Sequence, residues 1–263
     1  MKKILITGGS GLLGSNIAKL ATSKFEVYAI YNQNKISMNN VNFFQINLTK
    51  KEQFDKINKI NPDVIVHCAA LTNVDYCEEH PEEAYSHNVL VSCNIAEVAK
   101  KTGAFLIHIS TDCVFDGMKG DYKEEEETNP VNVYGKTKLK AEQEILSIHP
   151  SSCVVRTNIY GWNKRNKFSL AEWMINKLSN NEELPAFRDI YFSPILVNDL
   201  IDILFKLENE KYKGIINIAG SESCSKLEFA CKLAEVFDFD KNMIKPISIS
   251  DLELKAPRGA NIS

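Results

Sequence analysis

The sequence predicts an α/β fold: a doubly wound parallel sheet followed by a smaller, less regular C-terminal lobe. Three observations carry that expectation. Short, almost wholly apolar runs alternate with helix-period segments from residue 1 to residue 157. Such runs suit strands covered on both faces, the situation of a buried parallel sheet. A glycine-rich turn separates the first apolar run from the first helical segment, and beyond Arg156 the alternation loosens.

The elements follow in order. Lys3–Thr7 reads as a strand, Leu12–Ala21 as a helix, and Glu26–Tyr31 and Asn42–Ile46 as strands. Lys51–Ile60 has helical spacing, with Phe54, Ile57 and Ile60 on one side. Asp63–His67 is a buried strand. Pro81–Lys101 reads as one long helix, with Pro at its start and Gly103 just past its end. Ala104–Ile109 is a strand, Asn132–Ser147 a helix and Cys153–Arg156 a strand. In the tail, Phe168–Leu178 is amphipathic and Ser193–Val197 is a short strand. Asn198 or Asp199 is placed to cap a helix over Leu200–Leu207. Gly214–Ala219 is a strand and Ser225–Phe237 a helix. The expected division is a nucleotide-binding domain over 1–157, with 193–219 packing back onto it. Residues 158–192 and 220–263 then form a small lobe that shapes a substrate pocket. The acidic run Glu124–Glu127 reads as a solvated loop.

Composition removes several function classes. The 263 residues carry 31 Lys plus Arg against 34 Asp plus Glu, a net charge of −3. That balance gives no electrostatic reason to expect nucleic acid. No apolar run approaches the ~18–20 residues of a membrane helix, so no membrane partner is expected. The start, Met1-Lys2-Lys3-Ile4-Leu5-Ile6, breaks at Thr7-Gly8, short of the ~7–15-residue apolar core of a signal peptide. The seven cysteines are odd in number and scattered, with no C-x-x-C pair and none near His at metal-ligand spacing. The expectation is a cytoplasmic protein with reduced thiols and no metal site.

The strongest local signal is Thr7-Gly8-Gly9-Ser10-Gly11-Leu12-Leu13-Gly14. Between a first strand and a first helix, such glycines allow a tight turn and close approach of backbone to a pyrophosphate. The helix start adds free N–H groups and a positive dipole end. Gly9, Gly11 and Gly14 fit one spacing; Gly8, Gly11 and Gly14 fit another. A second signal is Tyr134-Gly135-Lys136-Thr137-Lys138, in which Tyr134 and Lys138 share a helix face. An ammonium one turn away favours the phenolate and lowers the tyrosine pKa toward a useful range. A third is Ser110-Thr111-Asp112 at a strand's carboxyl end, where open parallel sheets bind ligands. The end of the second strand, Tyr28 to Lys35, has no acid for ribose hydroxyls, which leaves room for a 2′-phosphate near Lys35 or neighbouring amides.

Taken in order, the glycine turn, His67-Cys68-Ala69-Ala70, Ser110-Thr111-Asp112 and Y-x-x-x-K resemble the extended short-chain dehydrogenases/reductases. The chain is most similar to the dTDP-4-dehydrorhamnose reductase family through four stretches. These are Thr72-Asn73-Val74-Asp75, Ser110 to Gly117, Asn129 to Lys138, and Ala256-Pro257-Arg258. The resemblance implies a Rossmann-type fold and reduction of a nucleotide-linked 4-keto-6-deoxysugar, with NADP(H) favoured over NAD(H). It implies that Tyr134 is the general acid and that Thr111 polarises the carbonyl. Lys138 holds the nicotinamide ribose and lowers the pKa of Tyr134. Gly8, Ser10, Gly11, Leu12, Leu13 and Gly14 take the cofactor phosphates, and Ala69 and Ala70 line its groove. Thr111, Cys113, Tyr134 and Arg258 face the sugar nucleotide. The chain departs from the family at Cys113, where Tyr is common, at Asn47-Leu48, where many relatives carry Asp, and in Arg156–Gly161, which lacks a tryptophan. Relatives often dimerise and usually run a little beyond the position of Ser263.

Two other readings compete. Epimerases and dehydratases of the same superfamily keep NAD bound, and the missing acid after the second strand argues against them. The family also resembles the regulatory beta subunit of methionine adenosyltransferase, which binds NADP and acts as a partner rather than a reductase.

Overall fold

The computed structural model describes residues 1–165 and 167–263. The chain begins with β1 (Lys3–Thr7), α1 (Leu12–Ala21), β2 (Glu26–Tyr31), β3 (Val41–Gln45), α2 (Phe54–Ile60) and β4 (Val64–His67). Then come α3 (Val74–Glu79), α4 (Pro81–Tyr85), α5 (Val91–Thr102), β5 (Phe105–Thr111), α6 (Val133–Ile148) and β6 (Cys153–Thr157). The tail holds β7 (Ile159–Tyr160), α7 (Leu170–Ser179), β8 (Leu184–Phe187), β9 (Tyr191–Phe192), β10 (Ile195–Leu196) and α8 (Val197–Glu210). It ends with β11 (Gly214–Ile218), β12 (Cys224–Ser225), α9 (Lys226–Val236) and β13 (Ile244–Ile247).

The central sheet runs β3-β2-β1-β4-β5-β6-β11, every neighbour parallel. The chain winds outward from β1 to β3, returns, and winds the other way from β4. That reversal between β1 and β4 opens a crevice beyond the carboxyl ends of the strands. The apolar strands are explained by burial on both faces. Ile4 and Ile6 pack with Leu13 and Ile17 of α1 and with Leu200 and Leu204 of α8. Leu5, the residue between them, points the other way, to Ile57 of α2, Ile95 of α5 and Ile145 of α6. The expected doubly wound parallel sheet is the observed one.

A third apolar cluster joins Met174 and Leu178 of α7 to Phe229 and Ala230 of α9, with Leu184 and Ile244 from the paired strands β8 and β13. β11 leaves this region and pairs with β6 in the central sheet.

Three elements differ from the sequence reading. The expected helix over Pro81–Lys101 is α4, a π-helical turn at Ser86–Leu90, and α5. The Asn88 side chain bonds both the N–H and the C=O of Leu71, and the Ser92 hydroxyl donates to the Asn88 carbonyl at 2.6 Å. These bonds sit at the wide turn. Neither Asn198 nor Asp199 is a cap: α8 starts at Val197, after Leu196, without a side-chain cap. Glu124–Glu127 is tied down in part, since Glu124 accepts from the Asn217 N–H at 2.8 Å and Glu126 pairs with Lys119.

A buried ion pair binds α6 to the sheet. Glu142 accepts both Nε and Nη2 of Arg156, at 2.8–3.1 Å, and the Ser110 hydroxyl donates to it. Both charged side chains are buried, at 3% and 2% exposure. Removing one partner strands the other charge, so Glu142→Ala should cost about 3–5 kcal/mol in a urea-unfolding measurement. A loss below ~1 kcal/mol, the range of an exposed pair, would refute this structural role.

Candidate active site

The crevice between β1 and β4 is a cleft of about 860 Å³. The glycine turn forms its floor. Gly8, Ser10, Gly11, Leu12, Leu13 and Gly14 all line it, with Ala69 and Ala70 on the facing wall. The structure decides between the two glycine spacings. Gly9 turns away: its N–H bonds the Ile30 carbonyl at 2.7 Å, and a Cβ there would meet the Ala29 side chain at 2.8 Å. Gly8, Gly11 and Gly14 form the cradle. A Cβ on Gly14 would lie 2.3 Å from the Gly8 carbonyl oxygen, so only glycine lets α1 start this close to the turn. Leu12, Leu13 and Gly14 line the cleft and α1 starts without a side-chain cap, which suits a pyrophosphate.

At the far end of the cleft lie Asn32, Gln33 and Asn34 from the end of β2, and Asn47 and Leu48 after β3. Among the described residues no carboxylate stands there. Lys35, expected near a 2′-phosphate, is exposed and outside the lining. Two cations that the sequence reading missed, Arg165 and Lys167, line the cleft instead. Their segment follows β7 and has no periodic pattern to mark it.

Tyr134, Lys138 and Thr111 meet in this cleft. Tyr134 is in the first turn of α6, which Asn132 caps by accepting the Gly135 N–H at 2.9 Å. A Cβ on Gly135 would lie 2.2 Å from the Cys113 carbonyl oxygen, so glycine here lets the helix press onto the turn after β5. Thr111 ends β5; its hydroxyl donates to Asp112 at 2.9 Å and accepts the Cys113 N–H at 3.2 Å. Asn158 donates to the other Asp112 oxygen at 2.7 Å. Burial pushes the Tyr134 phenol well above its ordinary value, with Cys113 adding and the Thr111 side chain opposing. The expected lowering is not what the fold produces: desolvation is the largest influence on this phenol, and it raises the pKa. The result is a phenol that stays protonated at neutral pH, the state a proton donor needs.

Lys138 is buried at 2% exposure. Its ammonium donates to the Ile109 carbonyl at 2.7 Å and to His108 Nε2 at 3.1 Å. Burial lowers its pKa to about 8, with the Glu142 charge opposing. Three N–H donors less these two leave one for the cleft. His108 therefore accepts on Nε2 and carries its proton on Nδ1, which has no partner among the described residues. Behind it, Ser92 gives its proton to Asn88, so His67 Nε2–H donates to Ser92 at 3.0 Å. His67 Nδ1 then accepts from Thr7 at 2.6 Å, and the Thr7 oxygen holds the Ala69 N–H at 3.1 Å. Burial holds both imidazoles neutral, His67 down to about 3. This layer was missed in the sequence, although a histidine inside an otherwise apolar strand was a readable signal at His67 and His108.

A second cavity of about 290 Å³ opens beyond Cys113 and Asn158, which line both spaces. Cys113 keeps its thiol proton, because burial raises its pKa. Arg258 lies on the wall of this cavity, with Nη2 paired to Asp75 at 2.9 Å and Nη1 on the Ala256 carbonyl at 2.9 Å. Trp162 stays outside both spaces, 56% exposed, its ring edge-on to Phe237.

The glycine cradle makes a direct prediction. Gly14→Ala must open the turn, and fluorescence titration with NADPH or NADH should show at least about a tenfold loss of affinity. Unchanged affinity would mean that the cradle does not hold a dinucleotide.

Comparison with known proteins agrees with this geometry. The family model of the RmlD substrate binding domain matches residues 1–263. The subunit beta of methionine adenosyltransferase 2 from Bos taurus is 32% identical, over 99% of this chain and 80% of the bovine protein. A dTDP-4-dehydrorhamnose reductase from Aggregatibacter actinomycetemcomitans is 31% identical, over 99% of this chain and 90% of its own. Among solved structures, the dTDP-4-dehydrorhamnose reductase of Bacillus anthracis in complex with NADP superposes with a TM-score of 0.85. It is 28% identical, and the match covers 99% of this chain and 89% of that one. With its cradle, its Tyr134-x-x-x-Lys138 helix and the match along its whole length, the chain belongs to the RmlD substrate-binding-domain family of extended short-chain dehydrogenases/reductases.

Proposed function

We propose that this protein is an NADP(H)-dependent reductase of a nucleotide-linked 4-keto-6-deoxysugar, with dTDP-4-dehydrorhamnose as the candidate substrate. The observation that carries the reading is the meeting of Thr111, Tyr134 and Lys138 where the dinucleotide cleft adjoins a second, sugar-sized cavity. The similarity to reductases of that name supports it. NADP(H) is favoured over NAD(H) because the β2 end of the cleft offers amides and, among the described residues, no carboxylate.

The bound nicotinamide would supply hydride to C4 of the sugar. Gly8, Gly11 and Gly14 would hold the phosphates, and the free N–H of Lys138 would reach the ribose. As charge builds on the carbonyl oxygen, Tyr134 would donate its proton and Thr111 a hydrogen bond. The Thr111 hydroxyl now points to Asp112, so donation needs one rotation about its C–O bond. Cys113 and Arg258 would face the sugar nucleotide from the second cavity.

A second reading is favoured by one specific observation. The bovine relative is a methionine adenosyltransferase regulatory subunit, at 32% identity. In that reading the cleft binds a dinucleotide and the protein acts through a partner.

An NADPH-oxidation assay with dTDP-4-keto-6-deoxysugars separates the two. Turnover is expected; a silent assay with stoichiometric capture of a methionine adenosyltransferase would establish the second reading. Tyr134→Phe should lower kcat by about 10²–10⁴-fold while leaving the NADPH Kd within about threefold. The pH profile tests Lys138. Its ammonium is present below its pKa of about 8 and lost above it. Tyr134 stays protonated through this range. Hence kcat/KM should be flat near neutral pH and fall as pH rises through about 8.

A further inference from the structure

The second cavity holds a charge that the reduction chemistry leaves unused. Lys226 is the first residue of α9, and the Ser225–Glu228 capping box fixes that turn. Its amine lies over the Phe192 ring, 3.0 Å from the centroid, and the side chain lines the cavity with Cys113, Phe115 and Trp173. Among the described residues no ion pair engages it, whereas Arg258, the cavity's other cation, is paired with Asp75. The neighbouring Asp112 carboxylate already accepts from Thr111 and Asn158. Burial lowers the Lys226 pKa to about 8, with the charge of the Asp112 carboxylate opposing, which leaves the ammonium dominant at neutral pH.

An ammonium has three donors and no acceptor. In a largely apolar cavity it is costly unless oxygen lone pairs meet it, and an aromatic face compensates only in part. Cys113 and Asn158 line both cavities. A sugar whose carbonyl sits between Thr111 and Tyr134 therefore extends past Cys113 toward Lys226.

We infer that Lys226 is a specificity-determining residue that donates to oxygen substituents of the sugar ring, and so favours hydroxylated or carboxylated sugars over amino-sugars. The inference rests on the reductase reading. An amino substituent at the same place would set two cations against each other.

Calorimetric titration tests it, using NADPH-saturated protein with dTDP, a dTDP-hexose and the corresponding dTDP-aminohexose. For Lys226→Met, the hexose should bind about 10–100-fold more weakly, the value of a lost charged hydrogen bond. Binding of dTDP and NADPH should stay within about twofold, and the preference for hexose over aminohexose should narrow at least about threefold. A merely structural lysine would weaken dTDP and dTDP-hexose alike. That outcome, or no change in either, overturns the inference and leaves the reductase reading standing. If thermal melting shows the Met variant unfolded, Lys226→Gln, which keeps an N–H donor without the charge, is read by the same contrast. A wild type that binds no sugar nucleotide at all overturns the reductase reading and this inference with it.

Discussion

The site depends on a polar seam between α6 and the sheet. Tyr134, Lys138 and Glu142 recur every four residues, so they share one helix face. That face lies against the end of β5. Lys138 holds the Ile109 carbonyl and His108; one turn further, Glu142 holds Ser110 and Arg156, which are paired across β5 and β6. Buried charges tolerate little displacement, because an unmet donor or acceptor costs more than a made bond returns. The seam therefore fixes how far α6 slides along the sheet. With that register set, Tyr134 stands opposite Thr111.

The seam also decides the electrostatics. Burial keeps Lys138 only moderately basic and keeps the Tyr134 phenol protonated. The neighbouring histidines add donors and acceptors without adding charge, since burial holds both neutral. The chain of bonds runs from the Ala69 N–H through Thr7, His67, Ser92 and Asn88 to the Thr137 hydroxyl, so the cleft wall and α6 are braced by one hydrogen-bonded layer. A polar layer of this kind can sit under a parallel sheet only because nearly all of its atoms find partners.

Some of this was legible and some was not. The first-half strands were readable because both of their faces are buried, which leaves unbroken apolar runs at Leu5 or Ile65. The glycine turn and the Y-x-x-x-K pair were readable because their chemistry is local. The π-helical turn at Ser86–Leu90 was not, since its bonds run to Leu71, seventeen positions from Asn88 in the chain. Lys226 looked like any lysine at a helix start. Its place in the second cavity comes from how α9 packs on β9 and faces Cys113.

What the sequence determined by itself is periodicity and local geometry: strands that must be covered on both sides, a turn that requires glycine, and a tyrosine and lysine on one helix face. These follow from side-chain size, backbone freedom and the pitch of a helix. The packing of the layers sets which glycines form the cradle, that desolvation raises the Tyr134 phenol, and that Arg258 and Lys226 share a cavity in which, among the described residues, Arg258 alone has an ion-pair partner. Each of these depends on distances between groups far apart in the chain and on the water excluded between them, quantities that exist only once the layers have packed.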